Sequence, residues 1–311
     1  MQVSVKIMVF GFLLMLLWSD PGLCDSVTYY GPDHTEITAE SFQKSAESYQ
    51  KRYKEAKKSW GRVNADLIRE SITLSGMDHF ITTFPRNIDM LSQQGTFSSG
   101  DPEIDNKAIR IIKNSFDPNS ARKKLVGYCK KYMNNQVVRD VLPWYRSPVA
   151  RKITQAENDA LSPESQTGLL VYAQNMQQNQ PPQERVVIIE DFIEAADMVD
   201  TAITIAMELF EGITVSMNLA FPEEKRIDRS RIQSLVERIR PAIEKQMEQN
   251  IRISTYYTYR NIANEEISAY IAFLRSESGS QFTQIATRAV TNVLVDYFSE
   301  VGRKLVSSTH V

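Results

Sequence analysis

Paired carboxylates are the side chains in this sequence whose spacing could support chemistry. Adjacent acids occur at Glu190-Asp191, Glu223-Glu224 and Glu265-Glu266. Neighbouring positions on a helix point about 100° apart, so these acids diverge, whereas Asp197 and Asp200 lie three residues apart and share a face. That pair could bind a cation or act as general acid and base. Because the chain has 38 acidic residues, such a spacing is expected by chance, and we assign no catalytic residue.

Other sets of catalytic residues are missing from the sequence. Its three histidines are His34, His79 and His310, and none has the HExxH spacing. The sequence therefore lacks the histidine patterns of a zinc enzyme and of a Ser-His-Asp hydrolase. The glycines are isolated, and neither phosphate-binding pattern, GxxxxGK[ST] or GxGxxG, occurs. We predict no metal and no cofactor, and we favour a protein that is not an enzyme.

The chain is organised around a short sequence pattern that occurs twice. The stronger copy runs from Ala263 to Gly279, and the weaker copy runs from Val138 to Ala150. Each copy predicts one helix, a break at Arg-Ser and a second helix. We call these two breaks the Arg-Ser corners. Their members are Arg146, Ser147 and Pro148 in the first corner and Arg275, Ser276 and Gly279 in the second.

The residues that start the helices differ between the corners. Ser147 is an N-cap, and Pro148 follows in the first turn, where its missing N–H costs nothing. In the second copy, Asn264 is the predicted N-cap of the helix before the corner. Ser278 and Gln281 have the spacing of a capping box, which predicts that the next helix starts there.

The two corner arginines are candidates for a fixed structural role. Arg146 and Arg275 could each bond to the last carbonyls of their own helices. Each could instead pair with an acid on a central helix, such as Asp78 or Asp200. Both alternatives are structural.

The composition predicts an all-α fold. The 311 residues are 42% hydrophobic, with only 12 glycines and 12 prolines, and alternating β-branched runs are absent. We expect a packed helical bundle of two related helical modules in tandem. A net charge of −2 gives no reason to expect nucleic acid as a partner.

The first 24 residues predict export. Lys6 precedes an apolar run from Ile7 to Trp18, and a turn follows at Ser19–Gly22. This run is too short to span a membrane and is typical of a secretory signal peptide. We expect cleavage after Cys24 and a periplasmic protein, with no membrane span in the mature chain. The alternative is a lipoprotein acylated at Cys24, although Pro21-Gly22-Leu23 fits a lipobox poorly.

The domain boundaries follow from composition and from the repeat. After a flexible segment at 25–37, we predict a first helical module at 38–177, a linker at 178–184 and a second module at 185–307. The linker contains Pro181-Pro182. Met77 aligns with Met198 at an offset of 121 (198 − 77), and Ser147 aligns with Ser276 at an offset of 129 (276 − 147).

Within these modules, the apolar periodicity predicts several long helices. One continuous helix is expected from Val186 to about Val215, apolar on two sides. Another is expected from Leu67 to Leu91, with Pro85 as a kink or an end, and Pro241 is expected to separate two helices. The acidic face formed by Glu194, Asp197 and Asp200 predicts a surface for a cation or a basic peptide; otherwise it is the solvated face of a core helix.

Aromatic residues cluster in the second module. Tyr257, Tyr270 and Phe273 could line a groove for an apolar ligand or a partner helix, or could pack in the core.

Two stretches resemble a known family. Asn264-Glu-Glu-Ile with Phe273–Gly279, and again Trp144–Val149, are similar to the bacterial domain of unknown function family 2059 (DUF2059). Glu277 replaces the usual proline of that family, and Ala150 replaces its glycine. The resemblance implies an all-helical, exported bacterial protein, and it brings no catalytic residues.

These observations give our functional expectation: a non-enzymatic periplasmic protein that binds an unknown protein partner or maintains the envelope. The first alternative is a carrier of an apolar ligand or lipid between helices, and the second is an uncharacterised hydrolase. The sequence predicts no oligomeric state.

Overall fold

The structure, a computed structural model, describes residues 64–93, 102–220, 223 and 226–309. It is all-α, and the described residues contain no strand. The predicted signal peptide, the flexible segment at 25–37 and the first part of the predicted module lie outside this range. The helices are α1 (Ala65–Leu74), α2 (Met77–Gln93), α3 (Pro102–Ser115), α4 (Pro118–Tyr132), α5 (Asn135–Arg146), α6 (Pro148–Ala160), α7 (Pro163–Gln178), α8 (Gln183–Ala195), α9 (Met198–Ala220), α10 (Arg229–Tyr259), α11 (Asn264–Arg275) and α12 (Glu277–Thr309).

Side-chain caps start several of these helices. Asp117 accepts hydrogen bonds from the N–H groups of Asn119 and Ser120, both at 3.1 Å, at the start of α4. Ser147 accepts one from Ala150 at 3.1 Å and caps α6, with Pro148 in the first turn. The predicted start of α6 is therefore confirmed.

Two predicted long helices are each divided by a residue with a positive φ. The expected helix from Val186 to Val215 breaks at Asp197, which has φ 48°. The expected helix from Leu67 to Leu91 breaks at Gly76, which has φ 72°, and not at Pro85, which lies inside α2. A left-handed residue redirects the backbone without disturbing the apolar periodicity on either side, so both predictions of a continuous helix were wrong.

The prediction at Pro241 was also wrong, because α10 continues through this residue. Proline removes one helical hydrogen bond and crowds the carbonyl four residues earlier. Here its ring is exposed, and the helix is held on both sides of it by buried residues such as Val236 and Met247. Tertiary packing therefore outweighs a local helix-breaking signal.

The helix starts in the second copy lie elsewhere than predicted. Ala263, and not Asn264, precedes the first turn of α11, and Glu266 accepts the N–H of Ala263 at 2.9 Å. Helix α12 starts at Glu277, where Ser276 accepts the N–H of Gly279 at 3.1 Å. Ser278 instead donates to Asp140 at 2.7 Å.

The two longest helices organise the core. Helix α12 packs against α9 and also against α3, α4 and α5, which come from the first half of the chain. Helix α10 packs against α9 and α8, and against α6 and α7. The buried apolar residues of both halves form one continuous cluster. None of the helices in the described residues combines the length and apolarity that a membrane crossing requires.

Several helix contacts recur in the same order in the two halves. Helix α1 packs on α2, α4 and α5, and α8 packs correspondingly on α9, α10 and α11. The helices that follow the corners contact the opposite half: α6 packs on α10, and α12 packs on α4. The helix that follows each corner therefore holds its own half against the other.

Candidate functional site

The first Arg-Ser corner is fixed by a two-bond ion pair. Arg146 donates through Nε to Oε1 of Glu70 at 2.8 Å and through its terminal nitrogen to Oε2 at 2.9 Å. The hydrogen bond from Arg146 lowers the pKa of the Glu70 carboxyl, and Glu70 raises the pKa of Arg146. This pair joins the end of α5 to the middle of α1.

The second corner has the corresponding pair. Arg275 donates to Asp191 at 3.2 Å and 2.5 Å, which joins α11 to α8. Asp191 follows Glu70 by 121 residues, and Arg275 follows Arg146 by 129 residues, the same offsets as in the sequence repeat. The partner of Asp78 is Arg122, so the acid suggested for the first corner is engaged elsewhere.

A second matched contact lies at the other end of the same helices. The N–H of Asn64 donates to Oδ1 of Asn135 at 2.8 Å. In the second half, Arg185 donates to Oδ1 of Asn264 at 2.7 Å. Asn264 follows Asn135 by 129 residues, and Arg185 follows Asn64 by 121 residues.

Two aromatic residues that are 129 positions apart stack on each other where the first and second halves of the chain meet. The ring of Trp144 lies 4.9 Å from that of Phe273, at an interplanar angle of 11°. Tyr270 stacks on the same indole at 5.7 Å. Tyr145 contacts Phe273 at 5.4 Å and Phe282 at 5.3 Å. The proposed groove residues Tyr270 and Phe273 thus pack against aromatic side chains of the first half.

A buried carboxylate lies beside this aromatic cluster. Glu157 of α6 accepts hydrogen bonds from the hydroxyls of Tyr259 at 2.8 Å and Tyr270 at 3.3 Å, and only 4% of its surface is exposed. Burial, and then the charge of Glu157, raises the pKa of Tyr259 and of Tyr145. Glu157 therefore ties the first half to α10 and α11 of the second.

Tyr257, the third groove candidate, lies in a separate contact. Its ring lies under the guanidinium of Arg260 at 3.8 Å and meets Tyr172 at 5.6 Å. A Cβ at Gly168 would lie 2.4 Å from its hydroxyl, so Gly168 allows α7 to approach α10 closely. The groove hypothesis stays a prediction; the structure places Tyr270 with Phe273 and puts Tyr257 in a different aromatic pair.

The acidic face spans the break between α8 and α9. Glu194 and Asp200 are exposed, and Asp197 is half-buried in its left-handed conformation. Burial, and then the neighbouring Asp200, raises the pKa of Asp197 to about 6, although Thr201 donates to its carboxylate at 3.1 Å. Among the described residues, no group of three His, Cys, Asp or Glu side chains has the geometry of a metal site.

The thiol of Cys129 is not in its reactive form in this fold. Cys129 is fully buried in α4, and burial raises the pKa of its thiol to about 12. A thiolate is the reactive form, so Cys129 is a core residue. His79 is exposed on α2, while His34 and His310 lie outside the described residues.

Sequence reasoning missed Glu157, which joins the two halves, and the two acids that bind the corner arginines. Glu157 follows Ala150 and Ile153 on the buried face of α6 at helical spacing, so a carboxylate on an apolar face was the available signal. Glu70 and Asp191 had no such signal, since they lie 76 and 84 residues from their arginines.

Comparisons with protein-family models, with curated proteins and with solved structures find no match to this chain.

Proposed function

We propose that this protein is an exported, non-enzymatic interaction protein, formed by two related helical modules that lock into one body. The observation that carries the proposal is that the buried carboxylate and the two corner arginines make bonds within the protein. Glu157 binds two tyrosines, and Arg146 and Arg275 each bind a carboxylate of their own half. These groups join helices to helices, as expected of a protein that works by presenting a fixed surface.

The duplication is supported by contacts that recur at constant offsets. The two corner ion pairs, the two contacts to Asn135 and Asn264, and the positive φ at Gly76 and Asp197 all obey the offsets of 121 and 129 residues. The two corner ion pairs are equivalent bonds, since each joins a corner arginine to a carboxylate of its own half, whereas Asn64 donates its backbone N–H and Arg185 donates its guanidinium. The stacking of Trp144 on Phe273 further supports an origin as two facing copies.

Export is supported by the sequence of the first 24 residues, with their basic start, short apolar run and turn. A periplasmic location and a role in envelope maintenance fit that signal and the resemblance to the exported family. Cleavage after Cys24 remains part of the proposal, with acylation of Cys24 as its alternative.

The test is native mass spectrometry of the untagged protein, purified gently from an envelope extract of its own host. We expect the mass of the chain from Asp25 to Val311, alone or with a bound protein. A mature protein that turns over a substrate in a hydrolase panel, and loses that activity on Asp197→Asn, would show an enzyme instead. An uncleaved chain in the cytoplasmic fraction would contradict export.

A further inference from the structure

One stretch of the chain has a charge opposite to that of the whole molecule. Residues 106–139 carry nine basic residues and one acidic residue, Asp117, in a protein whose net charge is −2. Helix α4 contributes five of these basic residues and contains no acid. The basic residues are Lys107, Arg110, Lys113, Arg122, Lys123, Lys124, Lys130, Lys131 and Arg139.

The geometry of α4 turns part of this charge outward. Its core face is formed by Ala121, Leu125 and Cys129, which are 5% exposed or less. Lys123 and Lys130 are exposed, seven residues apart, which places them about two turns apart on one side of the helix. We call the stripe formed by Lys123, Gly127 and Lys130 the basic face of α4.

Within the basic face, the two lysines keep their charge available. The other α4 cations that face neighbouring helices are neutralised, because Arg122 pairs with Asp78 and Lys124 pairs with Asp296 at 2.7 Å. In the part of the chain that the structure describes, no ion pair holds Lys123 or Lys130. Ion pairing within the described part of the chain therefore does not account for these two side chains.

Gly127 gives the basic face its shape. A Cβ at this position would have no atom within 4 Å, so the glycine is not required by packing. Glycine at an exposed position inside a helix destabilises the helix relative to alanine. What it provides is direct access to the helix surface between Lys123 and Lys130.

Exposed basic residues also lie on the neighbouring helices. Helix α3, which two residues connect to α4, exposes Lys107, Arg110 and Lys113 together with the acid Glu103, and Arg139 is exposed on α5. A cluster of four to eight lysines and arginines on a helical surface is the pattern that attracts anionic lipid.

We infer that the basic face of α4 docks on a bilayer surface that contains anionic phospholipid. Six of the nine basic residues are lysines. Lysine is a point charge without the planar fork of arginine, so it suits a diffuse array of phosphates better than one defined carboxylate. The basic face has no aromatic residue on which a base could stack, which disfavours single-stranded nucleic acid. Gly127 lets a headgroup phosphate approach between the two lysines.

This inference deepens the proposed function, because it names the partner surface of an interaction protein. It does not depend on the two-module origin or on the cleavage site. Failure of vesicle binding would remove the bilayer as partner and leave the proposed function to its own test by mass spectrometry.

The experiment measures co-sedimentation of the purified mature protein with vesicles. One set contains phosphatidylcholine alone, and the other contains equal parts of phosphatidylcholine and phosphatidylglycerol. The test variant is Lys123→Glu with Lys130→Glu. The control variant, Lys245→Glu with Arg303→Glu, makes the same change in net charge at exposed positions of α10 and α12. Circular dichroism confirms that each variant is folded.

We expect the wild type to sediment with the anionic vesicles at about 0.05 M salt and to be released at about 0.5 M salt. The test variant should lose about tenfold or more of its vesicle affinity, while the control keeps it. Inorganic phosphate at matched ionic strength should not compete, which separates a bilayer from a free-phosphate site.

Three outcomes would overturn the inference. The wild type could fail to bind anionic vesicles, or the control could lose as much affinity as the test variant, which would show a response to net charge alone. In the third outcome, immobilised polyglutamate retains the wild type while anionic vesicles do not bind it. That result would make the partner an acidic protein.

Discussion

The serines of the two Arg-Ser corners have the same backbone dihedral angles, although the sequences around them differ. Ser147 has φ −67° and ψ 152°, and Ser276 has φ −66° and ψ 151°. In each corner the serine Oγ accepts the N–H three residues later, at 3.1 Å. The residue that donates this N–H is Ala150 in the first corner and Gly279 in the second.

The difference lies in one carbonyl group. In the second corner, Ser276 also donates its hydroxyl to the carbonyl of Phe273 at 2.6 Å. A Cβ at Gly279 would lie 2.0 Å from that carbonyl oxygen, inside van der Waals contact. Glycine is therefore required there, whereas Ala150 carries a methyl group at the equivalent position. Two corners whose serines share one conformation thus differ in how much side chain they accept three residues later.

The largest expected effect comes from filling the tighter corner. Gly279→Ala should lower the free energy of unfolding by about 3 kcal/mol, because Phe273 is held by the stack on Trp144 and its carbonyl cannot move freely. Urea denaturation followed by circular dichroism measures this change.

Ala150→Gly is the matched control for that substitution. It should cost about 1–2 kcal/mol, from the added chain entropy of glycine and the loss of one buried methyl group. If Gly279→Ala proves as mild as Ala150→Gly, the corners are equally spacious and the comparison is wrong.

A medium effect is expected at the two helix breaks, where Gly76 and Asp197 occupy equivalent positions. Burial and the nearby Asp200 raise the pKa of the Asp197 carboxyl from 3.8 to about 6. A folded-state pKa above the unfolded value means that this group stabilises the fold when protonated. The contribution of the protonated Asp197 carboxyl to the free energy of unfolding is complete below about pH 4, and it is lost as the pH rises through about 6.

Asp197→Asn should therefore stabilise the protein by about 1–3 kcal/mol at pH 7 and by much less at pH 4. The measurement is the difference in unfolding free energy between variant and wild type across this range, which cancels the titration of other groups. Gly76→Ala, which introduces left-handed strain without a charge, should cost about 1–2 kcal/mol with no such pH dependence. A pH-independent difference for Asp197→Asn would contradict the assignment.

The smallest effect is expected from the corner arginines. Arg146→Ala and Arg275→Ala each remove a half-exposed ion pair, so each should lower the melting temperature by about 2 °C or less. Calorimetry at low and high salt checks this, since screening should reduce both effects alike. A large loss at one corner only would show that the two pairs are not equivalent.

Much of the fold was predictable from local signals. The apolar face of α12, from Phe282 to Val301, and the start of α6 at Ser147 followed from spacing and from capping chemistry. The breaks at Gly76 and Asp197 were not predicted, because a single left-handed residue leaves the hydrophobic periodicity on both sides intact.

The sequence by itself determined the helical class, the two Arg-Ser corners and some helix starts, such as that of α6, since each depends on residues within a turn or two. Only the tertiary structure decided which acids bind Arg146 and Arg275, that Glu157 faces Tyr259 and Tyr270, and that Trp144 meets Phe273. Such contacts join residues that are many tens of positions apart, and their energy depends on burial and packing that no local pattern encodes.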